Sequence, residues 1–313
     1  MNSQRIKNLF FLLFLLFTGC EKEIFMETPQ AEEKLVVEGF IEPGMPPIVF
    51  LTKSTGYFEP TDLQSMQNII IRNANVYISN GIVKLKLTQI CANNLPDNIL
   101  QYFANYSGFS AAYLKQLNYC FYTTFDLSGE TGMVYTLSID YNGKNYTSVS
   151  SIPEPVSLDS LWFIRRTPQE NRGIIWARLS DPPEIYNAYR IFTKRLGRDE
   201  KYIPVWGSTF EDRFFDGKNF DFYFYRGIKA NSEDPSDNNS ERSFFREGDT
   251  IVVKFCSIDQ DVFMFIRGLE TAVSNNGNPF AAPLTITSNI SGGALGYWGG
   301  YGAAYDTIIA NEK

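Results

Sequence analysis

Four cysteines and not one histidine define the chemistry open to this chain of 313 residues. Without an imidazole there is no Ser-His-Asp or Cys-His relay, no ordinary neutral-pH general base, and none of the commonest zinc ligand sets. Carboxylates can still act as a pair flanking a glycosidic bond, but the 35 Asp and Glu residues show no tight cluster that marks such a pair. The expected catalytic, metal and cofactor sets are therefore empty, and the chemistry that remains is that of Cys20, Cys91, Cys120 and Cys256.

Cys20 stands at the end of a targeting segment. Arg5 and Lys7 precede the apolar run Leu9 to Phe17, and Thr18-Gly19 supply small residues at a cleavage point, which is the layout of a secretory signal. A bilayer span needs roughly 20 apolar residues, so the run directs export without spanning. Phe17-Thr18-Gly19-Cys20 also resembles the lipobox of bacterial lipoproteins, which implies cleavage ahead of Cys20, lipid on its thiol and acylation of the new amino terminus. An ordinary cleaved signal with an incidental cysteine is the alternative. Each buried CH₂ of lipid contributes about 0.8 kcal/mol, and one chain alone holds weakly, whereas three chains on one cysteine hold firmly. Residues 1–19 then form the signal, and residues 20–34, polar and containing Pro29, form a tether. Glu21-Lys22-Glu23 resembles the acidic export tag of surface-displayed lipoproteins in Bacteroidota, and otherwise reads as a solvated charged stretch.

The formal charge is −7, and cleavage removes Arg5 and Lys7 but no acid, which takes it to −9. An acidic chain without a basic tract has little to offer nucleic acid, whose binding is dominated by phosphate neutralisation. At about one domain per 150 residues, and with 44% apolar and 15% aromatic residues, the chain can fill two cores.

The elements that must position these residues are short strands. Leu35 to Ile41 and Ile48 to Thr52 flank a proline-rich turn, and Val76 to Ile78 leads through Asn80-Gly81 to the alternating Val83 to Leu87. Asn-Gly between apolar runs is a strong hairpin signal because both residues tolerate positive φ. It recurs at Asn142-Gly143, between Val134 to Ile139 and Tyr146 to Val149. Between the hairpins, residues 90–120 carry apolar residues at spacings of three and four, which predicts a small helical insert bracketed by Cys91 and Cys120. In an exported chain those two cysteines are expected to form a disulfide; two free buried thiols are the alternative, and Cys256 reads as a core residue.

Ile152-Pro153-Glu154-Pro155-Val156 marks a boundary, since two prolines hold it extended and outside any central strand. The fold expected is mainly β: two antiparallel β-sandwich domains of the immunoglobulin or fibronectin type. The first covers 35–152 with its insert at 90–120, a linker covers 153–157, and a C-terminal domain with one helix covers 158–313. Its strands are read at Leu161 to Ile164, Gly173 to Leu179, Ala188 to Lys194, Phe220 to Tyr225 and Thr250 to Ile258. Residues 231–242 form an acidic loop in which Glu233, Asp234 and Asp237 could offer oxygens to calcium, although the ligand spacing of a known calcium loop is missing. Asp259 to Ser274 predicts a helix capped by Asp259 or Asp261, with Val262, Phe265, Ile266, Leu269 and Val273 on its core face. In the glycine-rich tail, Tyr297, Trp298 and Tyr301 are candidate partner-binding rings; the competing reading is a tightly turned strand passing close to another backbone.

Leu35-Val36-Val37-Glu38-Gly39, the cysteine-bracketed insert, Gly132 to Tyr135 with Tyr146-Thr147, Ile152-Pro153, Asn278-Pro279-Phe280 and Gly292 to Gly302 together resemble a Bacteroidota surface lipoprotein family known as domain of unknown function 4249. The resemblance implies an outer-membrane lipoprotein, possible at the cell surface, that assists a TonB-dependent transporter encoded beside it; it transfers no catalytic residues. The expected function is thus a non-enzymatic binding or accessory subunit, with a carboxylate-based glycan hydrolase as the alternative.

Overall fold

Short apolar runs, some alternating at period two and some continuous, form the strands. The computed structural model describes residues 32–56, 59–60, 62–107, 109–227, 243–275 and 285–312. The described strands and helices all fall within one compact unit, Glu33–Lys313. The expected signal segment, Cys20 and the expected acidic loop at 231–242 lie outside the described residues, and among the described residues no helix is long and apolar enough to cross a membrane.

The N-terminal half forms a two-sheet sandwich. β1 (Leu35–Ile41), β2 (Ile48–Lys53), β5 (Thr88–Cys91) and β6 (Cys120–Thr123) join a late strand, β16 (Leu295–Gly300), in the order β16-β1-β2-β6-β5. Facing them, β3 (Asn75–Ser79), β4 (Lys84–Lys86), β7 (Val134–Tyr141) and β8 (Lys144–Ser151) run in the order β4-β3-β7-β8. Val37, Val49 and Leu51 from the first sheet meet Val76, Leu137 and Ile139 from the second in one core. The β7–β8 turn has positive φ at both Asn142 and Gly143, the type I′ geometry the dipeptide predicts. At Asn80-Gly81 only the glycine is left-handed, and the Asn80 side chain instead accepts from the backbone N–H groups of Ile82 and Val83.

The C-terminal half builds a second sandwich. β9 (Ser160–Arg165), β10 (Arg172–Ser180), β13 (Asn219–Phe224) and β14 (Phe245–Arg246) form one sheet. β11 (Ala188–Arg195), β12 (Ile203–Glu211), β15 (Thr250–Ile258) and β17 (Gly302–Ile309) form the other, in the order β12-β11-β15-β17. Phe163, Ile175 and Phe245 pack against Tyr189, Val253 and Phe255 between them. The fold is therefore mainly β, built of antiparallel sandwiches, as the sequence predicts.

A third core joins the halves. It takes Phe40, Phe50 and Phe121 from the outer face of the first sheet and Ala188, Cys256 and Ile258 from the outer face of the last. Strand β16, which the sequence reading places in a C-terminal domain, instead lies parallel to β1, with Val37 opposite Gly296 and Gly39 opposite Trp298. The glycines are what allow this. A Cβ at Gly296, where φ is +102°, would stand 1.8 Å from the Val37 carbonyl oxygen, and one at Gly300 would stand 2.1 Å from that of Ser151. The tail is the close backbone crossing, and its rings are core.

Helices fill the remaining gaps. α1 (Leu63–Asn68) is capped by Asp62, whose side chain accepts from the Ser65 N–H. The insert holds α2 (Asp97–Ser107) and α3 (Ala111–Leu117), which send Leu100, Phe103, Leu114 and Leu117 into the third core. Cys91 and Cys120 sit directly opposite each other on β5 and β6 and are disulfide-bonded, closing the insert at its base as expected. α4 (Gln260–Ser274) has Asp259 as its cap, accepting from the Val262 N–H. Its buried face is Val262, Phe263 and Ile266; Leu269 and Val273, expected in the core, are 41% and 67% exposed. Only the first two turns reach the third core, so the helical spacing continues past the surface it was meant to cover.

Candidate functional site

Two sheets turn polar faces toward the same space. On β1, Val37 and Ile41 enter the first sandwich core, so Glu38 and Phe40 point the other way, followed by Glu42 just past the strand end. On β11, Tyr189 and Ile191 face the second sandwich, leaving Arg190 and Phe192 opposite; on β15, Val253 and Phe255 leave Lys254 and Cys256. Across that sheet Tyr305, Lys254, Phe192 and Pro204 stand in one register row on β17, β15, β11 and β12. Between the two sheets is a recess of about 100 Å³, whose wall includes Asn105 of α2 and the rings of Tyr202, Tyr297 and Tyr301.

Four charged groups occupy it in two different states. Lys254 and Glu42 are almost wholly buried and bond directly to each other, and the Tyr305 hydroxyl donates to the second Glu42 oxygen at 3.1 Å. Burial by itself depresses the Lys254 ammonium pKa, but Glu42 beside it turns the net shift upward. The ammonium also lies within 6 Å of the ring centres of Phe192, Tyr202, Tyr301 and Tyr305. That pair is complete.

Arg190 and Glu38 are not. Arg190 Nη1 donates to the Tyr301 hydroxyl at 2.6 Å, that hydroxyl donates to Tyr297 at 3.2 Å, and Phe192 stacks on the guanidinium at 4.6 Å. Its Nε is buried and has no hydrogen-bond partner. Glu38 is exposed within the recess although protein surrounds it; burial pushes its carboxyl up, while the Arg190 charge pulls it down. Chemically the recess offers one open carboxylate, one guanidinium with unused donor capacity and an aromatic wall. Glu42 has both oxygens committed, to Lys254 and to Tyr305, so Glu38 is the recess's open carboxylate.

The expected partner-binding rings are elsewhere than on the surface. Tyr297, Trp298 and Tyr301 are 5%, 0% and 3% exposed. Trp298 lies in the first sandwich core, with its Nε1 donating to the Tyr135 carbonyl at 3.1 Å, and Tyr297 and Tyr301 line the recess from within. The three rings are interior residues and not the surface contacts that the sequence predicts. The reason is β16, which pairs with β1 and carries Tyr297 and Trp298, with Tyr301 directly behind it. Cys256 is a buried core thiol as read, pushed up to about 12 by burial.

A second acidic group assembles from the loops around β11 and β12: Asp181, Asp212 and Asp216 bring oxygens within 4.8 Å of one another. A hard cation could bridge such oxygens, but each carboxylate already accepts from the protein, Asp181 from the Tyr189 hydroxyl, Asp212 from the Asn187 N–H and Asp216 from the Glu184 N–H. Burial pushes Asp212 up.

Sequence reasoning missed Glu38, Glu42, Arg190 and Lys254. One signal was present: a lone Lys254 inside the apolar run Ile251 to Ile258 must find a buried partner or cost several kcal/mol. Which residue answers it, 212 positions away, no local pattern records. No curated protein matches this chain. Residues 21–306 match the family model described as Domain of unknown function (DUF4249), and the chain belongs to that family.

Proposed function

We propose that this protein is an outer-membrane-anchored lipoprotein that acts as a non-enzymatic binding or accessory subunit, with a TonB-dependent transporter as its membrane partner. The observation that carries the binding role is the recess, in which Glu38 and Arg190 keep polar capacity that the fold does not use. Interiors otherwise satisfy such groups, and the neighbouring Lys254–Glu42 pair is satisfied within a few ångströms. The anchoring part rests on Phe17 to Cys20 and the tether behind it. A glycan hydrolase loses ground because Glu42 is locked in its pair, leaving Glu38 without a second catalytic carboxylate.

The test is affinity purification of the tagged, lipidated protein from detergent-solubilised envelopes. A stoichiometric outer-membrane β-barrel in the eluate is the expected result. Recovery of the protein alone after mild extraction and chemical cross-linking overturns the accessory role.

A further inference from the structure

The two charged pairs of the recess differ in one respect that chemistry can use. Glu42 and Lys254 neutralise each other, whereas Arg190 has phenol oxygens as its partners and Glu38 accepts no hydrogen bond from the described residues. A guanidinium buried beside phenols is built to receive a carboxylate, since its planar fork matches the two oxygens and Phe192 stacked on it fixes its plane. A carboxylate open in the same recess is built to receive an ammonium.

We propose that the recess binds a small free α-amino acid, its carboxylate on Arg190 and its ammonium on Glu38. The proposal deepens the binding role given above by naming the ligand class. Size and charge both select it. A volume of about 100 Å³ lies well below the roughly 300–1,000 Å³ of a drug-sized ligand pocket, which favours a ligand of few atoms. With Glu42 and Lys254 cancelling, a ligand of zero net charge leaves the recess neutral. A bare anion on Arg190 meets the repulsion of Glu38, and a bare amine on Glu38 meets that of Arg190. The rings of Phe40, Tyr202 and Tyr297 complete the wall, and their apolar surface lowers the local dielectric and so strengthens each contact.

The experiment uses the full-length lipoprotein in detergent, with isothermal titration and thermal melting against glycine, L-alanine, acetate, methylamine and L-alanyl-L-alanine. Expected is one-to-one binding of glycine or alanine with a raised melting temperature, and at least tenfold weaker binding of acetate and methylamine. Glu38→Gln is expected to weaken alanine at least tenfold and to abolish its preference over acetate, with melting of the free protein not lowered; Arg190→Lys, which keeps the charge but loses the fork, is expected to weaken alanine and acetate together. No binding of any probe at millimolar concentration overturns the proposal. So does acetate binding as tightly as alanine, or the dipeptide binding as tightly as alanine, which reassigns the recess to peptide termini. Co-purification with a transporter alongside absent amino-acid binding removes this inference alone; amino-acid binding without any membrane partner removes the accessory role alone.

Discussion

Lys254 and Glu38 are charged residues in otherwise apolar strands, and they sit at opposite ends of the same problem. Lys254 is compensated by Glu42, and removing one member of a buried pair leaves the other unpaired. Lys254→Met is therefore expected to cost about 3–5 kcal/mol in denaturant unfolding, and Lys254→Met combined with Glu42→Gln to recover most of that loss. A double variant no more stable than the single one contradicts the pairing. Glu38 is compensated only in part, by the charge of Arg190 and by no hydrogen bond from the described residues. Its folded-state pKa is raised by burial, so the stability it contributes is present below the ordinary carboxylate range and is lost as pH rises through the folded value. Glu38→Gln is thus expected to melt above wild type at pH 7, with the gap closing as pH falls below about 4. An equal or lower melting temperature at pH 7 shows that Glu38 is serving the fold. A group that costs stability and opens into a recess is a functional candidate on physical grounds.

Among the elements, the insert depends on its covalent base. α2 and α3 are short, and isolated helices of that length are marginal in water; they persist because Phe103 and Leu117 enter the third core and because Cys91–Cys120 closes the 29-residue separation. Loop-closure entropy for that length is about 3–4 kcal/mol. Non-reducing mass spectrometry is expected to find the two cysteine peptides linked, and reductant to lower the melting temperature; intact protein with both thiols free to alkylation contradicts this. The helices and their bracketing were legible in the sequence because spacing of three and four is local. The face of α4 was misread at Leu269 and Val273 because periodicity gives direction around a helix but not how far the opposing surface extends. β12 was missed altogether, since Pro204, Gly207 and Ser208 interrupt its pattern and its bulged pairing to β11 tolerates them.

For the whole molecule, β16 is the tie. Trp298 is fully buried in the first sandwich although it follows every strand of the second except β17. Trp298→Ala is expected to cost about 3–5 kcal/mol and to lower one shared unfolding transition. A lowered transition for the first half beside an unchanged one for the second indicates that the halves unfold independently. The lipid anchor is tested separately: labelled palmitate is expected in the wild type and absent from Cys20→Ala, and label in the variant removes the lipoprotein assignment.

What the sequence by itself determined was everything written in local spacing: the Asn142-Gly143 hairpin, most strands, the cysteine-bracketed insert and the mainly β class. Each rests on residues within one turn, one strand or one short loop, where φ preference and side-chain alternation act directly. Tertiary structure decided what those elements enclose. A tyrosine or tryptophan among glycines carries the same local signature on a surface as in a core, and only the pairing of Leu295–Gly300 with Leu35–Ile41 turned Tyr297, Trp298 and Tyr301 inward. The recess is the same case at longer range. Glu38, Arg190 and Lys254 come from strands far apart in sequence, and they meet because two sheets present their second faces to one another across a shared core.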